Sequence, residues 1–101
     1  MPFVKVCGVD ELKSGEALRF AASCPLALFR VGDQFYATDD TCTHAAASLS
    51  DGYIEGDVVE CPFHSATFCV RTGEALSLPA SEPLKTYPVK VEDGSVFVDV
   101  E

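Results

Sequence analysis

The two histidines of this chain each lie close to a cysteine. The first pair is Cys42-Thr43-His44 and the second is Cys61-Pro62-Phe63-His64, with sixteen residues between them. Thiolates and imidazoles on short, already bent loops can converge on one metal centre at a small cost in conformational entropy. The spacing C-x-H-x16-C-x2-H therefore predicts a fold that brings two loops together around one site.

Two kinds of metal centre are compatible with this ligand set. A mononuclear zinc site usually groups like with like, as C-x2-4-C followed by H-x3-5-H. A Rieske-type [2Fe-2S] cluster has two cysteines on one iron and two histidines on the other. Because each loop here supplies one residue of each kind, the mixed pairs favour the cluster, and a zinc-stabilised structural or interaction module remains the alternative.

Outside the two pairs, the sequence has the pattern of an all-β protein. Gly32-Asp33 and Asp93-Gly94 are typical tight-turn residues and predict hairpins over residues 26–38 and 86–100. Asp10–Gly15 is the one segment that indicates a helical turn. The other predicted strands are Phe3–Cys7, Ala17–Ala22, Val58–Cys61 and Thr67–Val70. We expect small antiparallel sheets, about eight to ten strands in all, with a sandwich-like or barrel-like base.

Residues 39–83 differ from the rest because they are rich in Gly, Pro, Ser and Thr. They contain the two Cys/His loops and a third loop, Leu78–Pro83. We expect Gly52, Gly56 and Gly73, together with Pro62, to bend these loops. The chain is therefore interpreted as one domain, residues 1–101, with a loop-built cluster-binding subdomain at about 39–83.

Several segments beyond the two pairs resemble one protein family, the small Rieske-type [2Fe-2S] ferredoxins of bacterial aromatic-ring-hydroxylating dioxygenase systems, such as biphenyl dioxygenase ferredoxins. The similarity covers almost the whole chain and includes Gly32-Asp33 with Tyr36-Ala37, Leu49–Gly52, Gly56–His64 and Phe68–Ala75. The resemblance implies the Rieske fold, with three antiparallel sheets and the cluster at the tip of a small subdomain. It also implies one ligand set, two cysteines on one iron and two histidines on the other: Cys42, Cys61, His44 and His64.

The same resemblance implies a function. Members of the family carry single electrons from a flavin-containing, NAD(P)H-dependent ferredoxin reductase to a terminal oxygenase with Rieske and non-haem iron centres. The chain would then be an electron-transfer component with no catalytic residues of its own. A redox-sensing protein that uses the same cluster for regulation is the other alternative.

The chain departs from the Rieske proteins of respiratory cytochrome complexes at four positions. Those relatives have one extra cysteine in or beside each of the two Cys/His motifs, here called boxes, and the two extra cysteines form a disulfide with each other. This chain has Ala47 and Phe63 at those positions. They also have a serine and a tyrosine, whose hydroxyls donate hydrogen bonds to sulfur, where this chain has Ala66 and Phe68. Hydrogen bonds to the sulfurs stabilise the reduced cluster. We therefore predict a low potential, near the lower end of the Rieske range at about -150 mV.

The charge and the N-terminal sequence limit the cellular setting. A net charge of -9 and a pI of about 4.4 argue against nucleic acid and anionic membrane surfaces as partners. The sequence contains no apolar run of the roughly 20 residues that a membrane helix needs. Because the N-terminus also lacks the pattern of a secretory signal, we expect a cytoplasmic protein. We also expect a monomer.

Other residues near the loops have weaker assignments. The remaining cysteines, Cys7, Cys24 and Cys69, are interpreted as bystanders, with Cys7 and Cys69 buried as small hydrophobes. An apolar rim around the cluster is expected from Ala45, Ala46, Phe63 and Pro79. Acidic residues nearby would steer basic patches of partners: Asp39, Asp40, Asp51, Glu55 and Glu82.

Overall fold

The structure is a computed structural model that describes residues 3–22, 24–41, 47–62, 66–77 and 82–100. These ranges contain ten β-strands and two short 3-10 helices, Val9–Glu11 and Leu49–Asp51. The strands are β1 Phe3–Gly8, β2 Ala17–Ala21, β3 Pro25–Val31, β4 Gln34–Asp39, β5 Tyr53–Glu55, β6 Val58–Glu60, β7 Thr67–Cys69, β8 Thr86–Tyr87, β9 Val89–Glu92 and β10 Ser95–Asp99. The prediction of an all-β fold is confirmed.

The strands form three small antiparallel sheets, as the family resemblance implied. Their strand orders are β1-β10-β9, β2-β3-β4-β8 and β5-β6-β7. Every neighbouring pair within them is antiparallel. The β5-β6-β7 sheet lies within residues 39–83, the segment expected to carry the cluster.

Both predicted tight turns are present. Val31 pairs with Gln34 across Gly32-Asp33, and Glu92 pairs with Ser95 across Asp93-Gly94. In the second turn, Asp93 has a φ of 52° and Gly94 a φ of 75°. Two consecutive residues with positive φ are the signature of a type I′ turn, whose twist matches that of the strands it joins.

The helical turn forms earlier than the sequence predicted. It covers Val9–Glu11, whereas the composition favoured Asp10–Gly15. The Glu11 side chain accepts a hydrogen bond from the Gly8 N–H at 2.8 Å, and this bond fixes the start of the turn. Gly15 instead donates its N–H to the carbonyl of Arg30, which ties the end of the predicted segment to β3.

Strand β3 separates two hydrophobic cores. Its side chains alternate, so that Leu26 and Leu28 face one core while Ala27 and Phe29 face the other, and all four are fully buried. The first core consists of Ala27, Phe29, Ala47, Leu49, Val59, Cys61, Ala66, Phe68, Val70 and Leu84. The second consists of Cys7, Leu12, Leu26, Leu28, Ala37, Tyr87, Val96 and Val98. The first core therefore packs under the sheet that supports the Cys/His loops.

Within the described ranges, no helix has the length and apolar character needed to cross a membrane.

Candidate metal centre

Cys61 is the one predicted ligand that lies within the described residues. It directly follows β6, is 1% exposed and belongs to the first core, together with Val59, Ala66 and Phe68. The other three predicted ligands, Cys42, His44 and His64, lie outside the described residues, and so do the predicted rim residues Ala45, Ala46, Phe63 and Pro79. The structure therefore locates one thiol and the bases of the loops that carry its expected partners.

The second Cys/His loop is closed at its base by main-chain pairing. Glu60 pairs with Thr67 at the end of the β6–β7 hairpin, and the Cys61 N–H donates to the Ala66 carbonyl at 2.7 Å. The loop from 61 to 66 thus begins and ends at one hydrogen bond. This bond fixes the backbone of Cys61 relative to the buried hairpin.

The first Cys/His loop is closed in a similar way. Thr41 and Ser48 form an isolated antiparallel bridge on either side of the loop. One residue further out, the Leu49 N–H donates to the Asp40 carbonyl at 2.7 Å. The described residues on both sides of each Cys/His segment are therefore joined by main-chain hydrogen bonds.

Asp40 holds the base of the first loop with its side chain. Its carboxylate accepts hydrogen bonds from the Ser48 hydroxyl at 2.6 Å and the Ser50 N–H at 2.9 Å. The Arg19 Nε lies 3.4 Å from the same carboxylate, which is only 2% exposed. The expectation that Asp40 steers partners from the surface is wrong, because its charge is used inside the protein.

The other predicted acidic residues are at the surface to different extents. Asp51, Glu55 and Glu82 are exposed, whereas Asp39 is half-buried. The Asp39 carboxylate accepts a hydrogen bond from the Tyr87 hydroxyl at 2.5 Å. Burial and this hydrogen bond together raise the pKa of Tyr87, so the phenol stays protonated.

Removal of the Asp40 carboxylate is expected to lower stability much more than removal of its cationic neighbour. Asp40→Ala leaves the Ser50 N–H without its acceptor and leaves the Ser48 hydroxyl only the Ser50 Oγ, at 2.9 Å, as a partner, at a cost of about 2–4 kcal/mol. Arg19→Ala removes a side chain that is 61% exposed, so water can take its place beside a carboxylate that keeps its hydrogen bonds from Ser48 and Ser50, and the loss should be about 1 kcal/mol. Thermal unfolding followed by circular dichroism measures both. Equal losses of stability in the two variants would contradict this role of Asp40.

Gly52 joins the bases of the two loops. A Cβ at this position would overlap the Glu60 carbonyl oxygen and would lie 3.0 Å from that of Leu49. Glu60 immediately precedes Cys61, so the main chain after the first loop touches the main chain entering the second. The φ of Gly52 is -80°, which any residue can adopt. The predicted role of Gly52 in bending is therefore wrong: glycine is needed for close approach.

The expectation of backbone bending is confirmed at the other two glycines. Gly56 and Gly73 have φ values of 59° and 81°. Gly73 also accepts a hydrogen bond from the Leu84 N–H at 2.7 Å. On the other side of the third loop, Ser77 Oγ lies 2.8 Å from Thr67 Oγ1. The residues on the two sides of the third loop, Ser77 and Leu84, therefore bond to β7 and to the turn that follows it.

Two positions carry hydroxyl groups in the Rieske proteins of respiratory cytochrome complexes, and the residues at both positions are apolar and fully buried here. Ala66 and Phe68 have no exposed surface, and both belong to the same core as Cys61. Ala47, at the position of the extra cysteine in the first box, is also buried in this core. Ala47, Ala66 and Phe68 thus belong to the same apolar core as Cys61, and none of them supplies a hydroxyl or a second thiol.

The three remaining cysteines differ in exposure. Cys7 and Cys69 are buried, as predicted, whereas Cys24 is exposed, with its Sγ 3.8 Å from an Asp39 oxygen. Burial raises the pKa of the Cys7 thiol. Burial acts in the same direction on Cys69, but hydrogen bonds from Thr72 and the backbone of Arg71 outweigh it and lower the pKa.

The chemistry of the site fits an iron–sulfur cluster. The described residues contain no group of three or more His, Cys, Asp or Glu side chains arranged around a metal. They do place a buried thiol at the base of one loop and fix it, through Gly52 and Glu60, against the base of the other. Thiolate and imidazole donors are suited to iron–sulfur clusters and to zinc, so the geometry alone leaves both centres possible.

Comparisons with known proteins decide between them. The Rieske [2Fe-2S] domain model matches residues 2–88. The 3-phenylpropionate/cinnamic acid dioxygenase ferredoxin subunit of Escherichia coli (strain K12) is 53% identical over 98 residues, which cover 96% of this chain and 92% of that protein.

Solved structures agree with this assignment. A chain from the complex of reduced oxygenase and oxidized ferredoxin in carbazole 1,9a-dioxygenase has a TM-score of 0.93 and 49% identity, over 95% of this chain and 91% of that one. The Sphingomonas yanoikuyae B1 ferredoxin has a TM-score of 0.93 and 39% identity, over 99% of this chain and 100% of that one. The cofactor is accordingly one Rieske-type [2Fe-2S] cluster, and the chain belongs to the Rieske [2Fe-2S] domain family.

Proposed function

We propose that this chain is a soluble one-electron carrier between a flavin-containing, NAD(P)H-dependent reductase and a terminal aromatic-ring-hydroxylating oxygenase. The observation that carries the proposal is the extent of the match to a dioxygenase ferredoxin subunit, 96% of this chain and 92% of that protein. The match leaves almost no part of either chain unpaired. A function that belongs to the whole relative can therefore be proposed for the whole chain.

The proposed ligands are the cysteines and histidines of the two loops: Cys42 and Cys61 on one iron, His44 and His64 on the other. The position of Cys61 supports this set, because its thiol is buried at the base of a hydrogen-bonded loop next to the base of the first. When bound, the cluster supplies the capacity to accept and release one electron. The four residues would hold it, and the apolar side chains of the first core would keep water from Cys61.

The oxygenase is proposed as the electron acceptor because a 49%-identical relative occurs in a complex of oxygenase and ferredoxin. The reductase is proposed because a ferredoxin in such a system must be re-reduced after each transfer. A single domain with a cluster-binding subdomain at about 39–83, a cytoplasmic location and a monomeric state complete the proposal. Ala47 is consistent with a reducing compartment, because no disulfide between the two boxes can form through it.

Reconstitution tests the electron-carrier role. Purified holoprotein is added to a reductase, NAD(P)H and the terminal oxygenase of a candidate dioxygenase system, and product formation is measured. We expect turnover to depend on the ferredoxin and to saturate with its concentration. A holoprotein that the reductase reduces but that supports no turnover with any candidate oxygenase would instead favour a regulatory function.

The low potential can be tested by restoring both hydroxyls. The double substitution Ala66→Ser with Phe68→Tyr is expected to raise the potential, since each new hydrogen bond to sulfur favours the reduced state by about 0.5–1.5 kcal/mol. With 59 mV for each tenfold change in a one-electron equilibrium, the total rise is about 40–130 mV. Redox titration followed by EPR measures it.

The matched control is Phe29→Tyr, which adds a hydroxyl to another fully buried phenylalanine of the same core. It is expected to leave the potential nearly unchanged. No rise in the double variant, or an equal rise in the control, would refute tuning by hydroxyls at 66 and 68.

A further inference from the structure

Tyr53 is an aromatic residue displayed on the surface beside the candidate metal centre. It is 74% exposed, more than Val4, Leu76 or Val91, which also stand out as exposed apolar side chains. It is the first residue of β5 and follows Gly52 directly. The neighbouring residue, Ile54, points the other way and packs on the first core. Tyr53 therefore does not support the core.

A carboxylate lies next to this ring. Tyr53 and Glu60 are paired residues of the antiparallel strands β5 and β6. Directly opposite residues of such strands have their side chains on the same face, about 4.5–5.5 Å apart at Cβ. The exposed ring and the carboxylate of Glu60 are thus neighbours on the outer face of the sheet.

These two residues line a surface cleft that reaches the candidate site. The cleft has a volume of about 460 Å³, and the described residues that line it are Asp51, Gly52, Tyr53, Glu60, Cys61 and Pro62. It lies at the point where Gly52 brings the two loop bases together. A group bound in the cleft would therefore lie beside the main chain of both loop bases.

The cleft carries negative charge that is not paired with any Lys or Arg in the described ranges. All seven Lys and Arg residues lie in the described ranges, and the ion pairs found there use Asp33, Asp40 and Asp57. Neither Asp51 nor Glu60 takes part in one of these pairs. Two carboxylates beside an exposed phenol ring are suited to a Lys or Arg side chain, through charge-assisted hydrogen bonds and a cation–π contact.

We propose that this cleft receives a Lys or Arg side chain of the terminal oxygenase when the two proteins dock. This inference rests on the proposed electron-carrier function and specifies its contact surface. The charge of -9 on the whole chain favours a basic partner surface at long range. The cleft then adds a short-range contact in which Tyr53 provides the ring and Glu60 and Asp51 provide the acceptors.

The test measures the Kd between holoferredoxin and oxygenase at several salt concentrations. Tyr53→Ala and Glu60→Gln are each expected to weaken binding by about fivefold to thirtyfold. Tyr53→Phe keeps the ring and should bind like the unaltered protein. Glu60→Gln should also reduce the salt dependence of Kd. The reduction potential should not change in Tyr53→Ala or Tyr53→Phe, because neither substitution changes a charge beside the proposed centre.

Matched controls come from the β1-β10-β9 sheet, which contributes no residue to the cleft. Val91→Ala removes another exposed apolar side chain, and Glu92→Gln neutralises an exposed carboxylate, whereas Glu60 is half-buried. Neither should change Kd by more than about twofold. Equal effects of the cleft and control variants on Kd would overturn the proposal. They would indicate that binding depends on the overall surface charge.

The remaining outcomes are also decisive. If the cleft variants impair reduction by the reductase but bind oxygenase normally, the oxygenase is not the occupant and the proposal is wrong. If unaltered protein supports turnover and all cleft variants bind and react like it, this inference fails while the electron-carrier function stands. If unaltered protein supports no turnover, the proposed function itself fails.

Discussion

Cys61→Ser should produce a protein that lacks the visible absorbance and the EPR signal of a reduced Rieske cluster. The thiol of Cys61 is nearly inaccessible to solvent and is fixed by the bond from its own N–H to Ala66. Serine is nearly the same size, but its neutral hydroxyl is a hard and weak ligand in place of a soft thiolate. Iron content, absorbance and EPR after reduction should therefore all fall to near zero.

Cys69→Ser provides a close control. Cys69 is also buried and lies on β7, the strand that follows the same loop, but it is not among the proposed ligands. This variant should retain iron and the EPR signal. The proposed ligand set predicts the same loss of cluster for substitutions of Cys42, His44 and His64. Normal iron content and an unaltered EPR signal in Cys61→Ser would contradict the assignment of Cys61 as a ligand.

The fold was predictable to the extent that local signals determine it. Asp93-Gly94 predicted its hairpin because the sequence of a two-residue turn and its backbone conformation are closely linked. The apolar run Leu26–Phe29 in β3 is compatible with burial on both faces, but it does not show which residues cover each face, because this depends on two separate cores closing on one strand. The helical turn shifted because Glu11 bonds to Gly8, a choice between neighbouring registers that composition does not resolve.

For the site, too, the features set by local sequence were predictable and those set by the tertiary fold were not. The ligand types and their spacing are local, so the sequence was sufficient to indicate the cluster. The residues that hold the loop bases in place depend on contacts with residues that are distant in the sequence. Asp40 was assigned to the surface because an aspartate in a polar segment is usually solvated, and its partners are eight and ten residues away with no motif to connect them. Gly52 was assigned to bending because the Glu60 carbonyl that it contacts becomes a neighbour only after the sheets form.

The contact at Gly52 leads to the second large effect. Gly52→Ala should lower stability by about 3 kcal/mol, because the new Cβ meets a backbone oxygen that can move only if β6 or the Leu49–Asp51 turn moves with it. In a domain of this size, that loss lowers the unfolding temperature by about 12–24 °C. Since β6 leads directly into Cys61, the same displacement should also reduce the amount of cluster retained after purification. Thermal loss of the cluster absorbance measures stability, and iron per protein measures cluster content.

Gly56→Ala separates steric contact from backbone conformation. Gly56 has a φ of 59°, and a Cβ added there would have no other atom within 4 Å. Alanine there costs only the strain of the left-handed conformation, about 1–2 kcal/mol, and should leave iron content unchanged. Gly52 has the opposite combination, an ordinary φ and a blocked Cβ. If loss of glycine flexibility were what mattered, Gly56→Ala would be the more harmful change, and this ranking would contradict the close-contact explanation. The opposite ranking, with cluster loss confined to Gly52→Ala, is what a main-chain contact between the two loop bases requires.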